Sequence, residues 1–200
     1  MDKFNYTKLY QRLYELGYHS GKKNHGLLFV AYIVKNYLFD SIMDIGCSQG
    51  MIVETFKNKG RKSIGIDVSP KAIENSKKLG YNNCYVASVT EIPFEENSVD
   101  AVFSCDTMEH LIENDVKQAI SEIKRVARKY LFLKISYEEE KNRTWINKLH
   151  ANNKFMGISN LHLTVKDKNW WKNQLEDNSW KIIEDDFNDL IVLKNTREEI

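Results

Sequence analysis

The 200-residue sequence has few of the residues that interrupt or cross-link a chain. It contains two prolines, nine scattered glycines and three cysteines, Cys47, Cys84 and Cys105. So little proline and glycine excludes a collagen-like chain or a low-complexity linker. The cysteines are odd in number and lack Cys-x-x-Cys spacing, so they predict neither a disulfide framework nor a zinc ribbon. We therefore expect one compact domain in a reducing compartment, the cytoplasm.

The sequence also lacks an excess of charge and a long apolar run. Its 29 Lys and Arg against 28 Asp and Glu give a formal net charge of +1, which leaves no overall field to hold nucleic acid or an anionic membrane. The longest apolar run near the N-terminus, residues 26–34, is too short to span a bilayer. We expect no nucleic-acid partner and no membrane span. The 42% of hydrophobic residues is enough for one globular core.

Hydrophobic periodicity predicts helices first and then an alternation of strands and helices. The predicted N-terminal helices cover 6–16 and 27–38. After residue 40, strands are predicted at 41–45, 63–66, 83–87, 99–105 and 130–136, helices at 51–58, 70–79, 114–128 and 168–175, and an antiparallel pair at 180–185 and 190–193. The charged stretch 137–161 is predicted to be irregular. Such alternation predicts an α/β fold, with a parallel sheet and helices on both faces.

The segment between the first predicted strand and the helix after it has the composition of a ligand-binding loop. It reads Asp44-Ile45-Gly46-Cys47-Ser48-Gln49-Gly50, and glycine there lets the backbone approach a nucleotide-like ligand closely. Asp67 ends the next predicted strand, about 20 residues further on, where a carboxylate can accept hydrogen bonds from both ribose hydroxyls. The loop and the acid together predict a nucleoside-binding site.

These residues resemble the class I S-adenosylmethionine-dependent methyltransferases, whose loop has the form D/E-x-G-x-G/S-x-G. The resemblance covers roughly residues 40–136. It implies a Rossmann-like, seven-stranded, mostly parallel sheet with helices on both faces and an antiparallel C-terminal strand pair. NAD is not expected, because the loop is Gly-x-x-x-Gly rather than Gly-x-Gly-x-x-Gly. We divide the single domain 1–200 into an N-terminal helical cap (1–39), a cofactor-binding core (40–136) and an acceptor-side insertion with closing strands (137–200).

The same resemblance implies S-adenosyl-L-methionine as the cofactor and a set of residues that bind it. Ser88 stands where the family usually has the aspartate that flanks adenine, and its hydroxyl can still accept a hydrogen bond. The segment Asp106-Thr107-Met108-Glu109-His110-Leu111 resembles the family's E-H-L segment after the fourth strand. The implied cofactor-binding residues are Asp44, Gly46, Cys47, Ser48, Gly50, Asp67, Val68, Ser88, Val89 and Cys105.

Methylation of a hydroxyl also needs a group to take its proton, and histidine suits that role near neutral pH. The candidate catalytic residues are His110, His162 and Asp106, and His19 and His25 are further histidine candidates. An alternative for His110 is that it orients the loop through a hydrogen bond to the backbone.

Two carboxylates near His110 raise the question of a metal. Asp106 and Glu109 lie three residues apart and could bind a divalent ion that polarises adjacent hydroxyls. Two carboxylates alone do not make a metal site, and Glu109 is interpreted as structural. A divalent metal is therefore possible but not expected.

Three tryptophans bear on whether the acceptor is a sugar. Trp145 lies in the charged stretch 137–161, where an aromatic side chain can form a platform for a saccharide. Trp170 and Trp171 start the last predicted helix and are interpreted as core anchors in preference to sugar-stacking groups.

The functional hypothesis is an S-adenosylmethionine-dependent O-methyltransferase acting on a hydroxyl of a small acceptor, a sugar or glycan. Two alternatives stay open: N- or O-methylation of another small metabolite, and a non-catalytic module that binds S-adenosylmethionine. Methylation of DNA amino groups is not expected, because residues 105–108 lack the N/D-P-P-Y/F sequence of those enzymes.

Overall fold

The computed structural model of the chain describes residues 4–19, 25–151 and 155–199. Parts of the predicted cap (1–39) and insertion (137–200) therefore lie outside the described residues. Within the described part the chain forms seven strands: β1 (Ser41–Ile45), β2 (Lys62–Asp67), β3 (Cys84–Val86), β4 (Val99–Cys105), β5 (Ala127–Lys134), β6 (Trp180–Glu184) and β7 (Leu190–Asn195).

The strands form one sheet in the order β3-β2-β1-β4-β5-β7-β6. Strands β1 to β5 are parallel, whereas β7 pairs antiparallel with both β5 and β6. The Rossmann-like α/β fold with an antiparallel C-terminal pair is thus confirmed. Because the chain leaves β1 in one direction to form β2 and returns to the other side of β1 for β4, a crevice opens at the carboxyl ends of these strands.

Helices cover both faces of the sheet, as predicted. Those in the described residues are α1 (Tyr6–Glu15), α2 (Gly26–Asn36), α3 (Met51–Asn58), α4 (Pro70–Lys78), α5 (Glu113–Val126), α6 (Thr144–Leu149) and α7 (Lys168–Leu175). Successive side chains of β1 point to opposite faces of the sheet. Ile42 therefore packs with α2 and α3 on one face, and Met43 packs with α5 and α7 on the other. None of the described helices combines the length and the apolar character needed to cross a membrane.

The largest differences from the predictions lie at the junction of α5 and β5 and in the stretch 137–161. Helix α5 runs into β5 without a loop, so β5 begins at Ala127 and not at residue 130. The stretch 137–161 is not wholly irregular, because it contains α6. This short helix has only Trp145, Ile146 and Leu149 as buried residues, and they pack against Leu9 and Leu13 of α1.

Candidate active site

A cavity of about 720 Å³ lies at the carboxyl ends of β1, β2 and β4. Its size falls in the range typical of sites for small molecules and cofactors. Its walls come from the loop after β1, the end of β2, the segment after β3, the turn after β4, and α1 with the residues that follow it. The cavity therefore occupies the crevice at which open α/β sheets bind their ligands.

The loop after β1 turns tightly over the end of β2. The backbone N–H groups of Gly46 and Cys47 both donate to the carbonyl of Ile66, at 2.9 and 3.0 Å. Gly46 has a φ of +73°, and a Cβ built there would lie 2.3 Å from the Oγ1 of Thr107. Both the backbone conformation and the space thus require glycine at position 46.

We expect Gly46→Ala to destabilise the protein more than Gly60→Ala does. Gly60 has a similar φ of +80°, but a Cβ there meets nothing within 4 Å. The Gly60 variant should cost about 1–2 kcal/mol from backbone strain alone, and the Gly46 variant should add the clash with Thr107. Thermal unfolding of the two variants measures the difference, and equal melting temperatures would contradict this account of the loop.

Asp67 ends β2 and projects its carboxylate towards the cavity. One oxygen accepts from the Ser48 N–H at 3.0 Å and the other accepts from the Ser69 N–H at 2.9 Å. Each carboxylate oxygen can accept a further bond, because it carries more than one lone-pair site. Burial raises the pKa of Asp67 to about 6, and the two N–H donors oppose that rise. The residue is thus fixed in place and still able to accept hydrogen bonds from a diol.

The structure brings together seven of the ten predicted cofactor-binding residues. Those that line the cavity are Gly46, Ser48, Asp67, Val68, Ser88, Val89 and Cys105. Asp44, Cys47 and Gly50 do not line it. Cys47 is buried with Val53, Ile73 and Cys84, and Gly50 adopts a φ of +81° at the start of α3, against Ser76 and Cys84.

Asp44 is also placed away from the cavity lining. Its side chain is 4% exposed within β1, and burial raises the pKa of its carboxyl well above the usual value for aspartate.

A row of tyrosines that was not predicted from the sequence covers the cavity. Tyr6, Tyr10, Tyr14 and Tyr18 are spaced four residues apart, and all four line it. Residues four apart lie on one face of a helix, so this spacing was a readable signal. The side chain of Tyr14 interacts with Ser48 in the loop after β1, which links α1 to that loop. The N-terminal cap is thus a wall of the cavity.

Two predicted catalytic histidines, 52 positions apart in sequence, lie side by side. His110 belongs to a single 3-10 turn after β4, Met108–His110, and its ring lies 4.9 Å from that of His162, centroid to centroid. The Nδ1 of His110 lies 2.9 Å from the carbonyl oxygen of Leu161, and the Nδ1 of His162 lies 2.5 Å from that of Glu138. Because a carbonyl oxygen only accepts, each Nδ1 carries a proton, and in the neutral imidazole this leaves the lone pair on Nε2.

The hydrogen bond to Leu161 is the loop-orienting contact that was the alternative for His110. It holds the ring while leaving Nε2 available, so the two roles are compatible. Desolvation and the neighbouring His162 ring lower the pKa of His110 to about 3. The imidazole is therefore neutral near pH 7.

Glu109 and Asp106 occupy different environments. Glu109 is fully buried, and burial together with the charge of Asp106 raises its pKa to about 8. Its Oε1 accepts from the Ser136 N–H at 3.1 Å, whereas its Oε2 has no hydrogen-bond partner among the described residues. Asp106 is exposed, lines the cavity and lies 3.8 Å from the ammonium of Lys134. Among the described residues, Glu109 groups with His110 and His162 as side chains that could hold one ion, and Asp106 is not part of that group.

Of the remaining candidates, His19 and His25 line the cavity, whereas the three tryptophans do not. Trp145 is only 7% exposed and packs edge-on against Tyr18, so the hypothesis that it forms an exposed saccharide platform is wrong. Trp171 is fully buried in the core, as interpreted from the sequence, and Trp170 packs edge-on against it.

The chain matches a known domain family over part of its length. Residues 43–132 match the family described as "Methyltransferase domain". An uncharacterized methyltransferase of Schizosaccharomyces pombe, C70.08c, is 34% identical over 70 residues, which are 32% of this chain and 26% of that protein. The matched segment thus spans about a quarter of that relative.

Solved structures with similar folds cover nearly the whole chain. Magnesium protoporphyrin IX methyltransferase from Synechocystis PCC 6803, solved with bound S-adenosylhomocysteine, is 16% identical, with a TM-score of 0.63 and 94% of each chain covered. A putative S-adenosylmethionine-dependent methyltransferase from Methanococcus maripaludis is 17% identical, with a TM-score of 0.62 and 86% of each chain covered. A protein studied for the conversion of a disulfide bond into a thioacetal group in echinomycin biosynthesis is 13% identical, with a TM-score of 0.69 over 94% of this chain and 91% of its own. At these identities the likeness concerns the fold.

Proposed function

We propose that the chain, which matches a methyltransferase domain over residues 43–132, uses S-adenosylmethionine to transfer a methyl group to a hydroxyl of a small, uncharged acceptor, a sugar or glycan. The observation that carries the proposal is one cavity with two chemically distinct ends. Asp67 and the glycine loop follow β2 and β1, whereas His110 follows β4 on the other side of β1, with His162 beside it.

The first end fits the cofactor. Gly46 leaves room for close approach to the backbone, and Asp67 offers both carboxylate oxygens to a ribose diol. Val68, Ser88 and Val89 complete the wall beside it, where we place the adenine. When bound, S-adenosylmethionine supplies a methyl group that is already activated by the positive sulfur. The protein then has to orient the acceptor and handle its proton.

The second end supports activation of a hydroxyl. The Nε2 lone pairs of His110 and His162 are held in place by the Nδ1 contacts with backbone carbonyls, so little reorganisation is needed when an acceptor binds. Asp106 lines the cavity near them and presents an exposed carboxylate. We therefore assign the acceptor's hydroxyl to this end: His110, whose lowered pKa makes it a weak base, accepts a hydrogen bond from the hydroxyl, and His162 or Asp106 takes its proton.

The charges around the cavity support an uncharged acceptor. Among the described residues that line it there is no lysine or arginine, so nothing on that wall neutralises a phosphate. A nucleic-acid or phosphorylated acceptor would need such groups. The tyrosines of the cap instead offer aromatic faces and hydroxyls, which suit a neutral polyhydroxylated molecule.

The division of the chain belongs to the same proposal. The core (40–136) binds the cofactor, while the cap (1–39) and the region 137–200, which supplies Glu140 and His162 to the wall, enclose the acceptor. A reducing compartment, the cytoplasm, suits the three cysteines, which are free in the structure.

The experiment that tests the proposal is transfer of a labelled methyl group from S-adenosylmethionine to a panel of neutral monosaccharides, glycosides, phenols and nucleotide sugars. We expect label on a neutral sugar and at an oxygen. Label at nitrogen, or on a phosphorylated acceptor alone, would contradict the proposed acceptor. Binding of S-adenosylhomocysteine without transfer to any member of the panel would favour the non-catalytic module.

A further inference from the structure

Three side chains of metal-binding type meet at the turn after β4. Glu109, His110 and His162 each offer one ligand atom, and these atoms all lie within 4.8 Å of one another. Ligand bonds of about 2.1 Å bring two ligands of one ion to within about 4.2 Å. Side-chain movements of roughly half an ångström would therefore close the three around a single ion.

The hydrogen bonds of the histidines orient them as metal ligands are oriented. Both Nδ1 atoms donate to backbone carbonyls, those of Leu161 and Glu138. Histidines that bind metals usually donate the other ring N–H to a carbonyl or a carboxylate, and this contact fixes the tautomer and the ring orientation. The atoms left to bind are the two Nε2 lone pairs.

Glu109 provides the independent observation. Its side chain is fully buried, its Oε1 is held by the Ser136 N–H, and its Oε2 has no hydrogen-bond partner in the part of the chain that the structure describes. Leaving a buried carboxylate oxygen unpaired is costly, so such an atom calls for a partner. A cation among Glu109, His110 and His162 would supply it.

We propose that Glu109, His110 and His162 bind one divalent transition-metal cation at the acceptor end of the cavity. Two imidazoles and one carboxylate favour a first-row ion such as Mn²⁺, Fe²⁺, Co²⁺ or Zn²⁺ over Mg²⁺ or Ca²⁺, which prefer oxygen ligands. Three protein ligands leave coordination positions open for a substrate. Sequence spacing pairs Glu109 with Asp106, three residues earlier, and does not indicate that His162 joins Glu109 and His110.

The role of the ion rests on the proposed function, although the site itself does not. With both Nε2 lone pairs bound to the ion, an open position would bind the oxygen of the acceptor's hydroxyl and lower the pKa of that hydroxyl, so that its proton passes to Asp106 or to solvent. A second open position would bind a neighbouring oxygen of the same acceptor. A sugar with adjacent hydroxyls fits this arrangement.

The test is a titration of the chelator-treated full chain with Co²⁺, followed by visible absorption, without cofactor or acceptor. We expect one Co²⁺ per chain. Glu109→Gln and His162→Asn should each weaken Co²⁺ binding by at least about tenfold, and Asp106→Asn should leave it within about twofold. Circular dichroism verifies folding, and His162 is only partly buried, so its variant remains informative if the Glu109 variant does not fold.

No Co²⁺ bound at about 1 mM, or equal affinity in wild type and His162→Asn, would overturn the metal site. Methyl transfer that persists in full after chelation, together with no Co²⁺ binding, would overturn the site and leave the proposed function standing. Stoichiometric Co²⁺ binding in a chain that does not bind S-adenosylhomocysteine would support the site and overturn the proposed function.

Discussion

His162→Asn is expected to lower kcat by about 100-fold or more on the acceptor that the panel identifies. Asparagine can still donate to the carbonyl of Glu138, as the Nδ1 of His162 does, but it has no atom in place of Nε2. The variant thus keeps the anchor of the 155–164 segment and removes one of the two lone pairs at the acceptor end. The measurement is kcat at saturating S-adenosylmethionine.

The control for His162→Asn is Val165→Ala, three residues further along the chain. Val165 is exposed and does not line the cavity, so its truncation should leave kcat unchanged. The affinity for S-adenosylhomocysteine should be the same in both variants and the wild type, because His162 lies at the other end of the cavity from Asp67. A kcat within about threefold of wild type for His162→Asn would rule out a role for this histidine in activating the hydroxyl.

Asp67→Ala is expected to weaken S-adenosylhomocysteine binding by on the order of 2 kcal/mol, or about 30-fold. The change removes the carboxylate that would accept from both ribose hydroxyls, and it also releases the N–H groups of Ser48 and Ser69. Calorimetry gives the dissociation constant. Glu74→Ala is the matched control, because Glu74 is an exposed acid that pairs with two surface lysines, Lys71 and Lys78.

The pH dependence of binding gives a second readout on Asp67. Burial raises its pKa to about 6, so the carboxylate is ionised at pH 7.5 and mostly protonated at pH 5. The protonated form is the poorer acceptor for two hydroxyls, and affinity should therefore fall by about tenfold between these pH values. Asp67→Asn does not titrate, so its affinity should be lower and nearly independent of pH. An unchanged affinity in Asp67→Ala would mean that the ribose binds elsewhere.

The sequence predicted those parts of the fold that local patterns determine. Strands β1 and β4 and helix α3 have the predicted bounds, because alternation or helical spacing marks them and the glycine loop separates β1 from α3. The start of β5 was misplaced since no glycine or proline separates it from α5. Helix α6 was missed because only three of its six residues are apolar enough to be buried.

The site was predictable where the ligand-binding residues are local. The loop after β1 and Asp67 could be found from spacing, because they end adjacent parallel strands. The grouping of His162 with His110 could not, since it depends on how the segment after α6 returns to the turn after β4. Glu109 and Asp106 were paired by sequence spacing, but in the structure Asp106, with a φ of +51°, is exposed and Glu109 is buried.

The central claim is that this cavity binds the methyltransferase cofactor, and calorimetry of the wild-type chain with S-adenosylhomocysteine tests it most directly. We predict one site per chain, with a dissociation constant on the order of 10 μM. Asp67→Ala should weaken this binding by about 30-fold. No detectable binding at about 1 mM ligand would contradict the account.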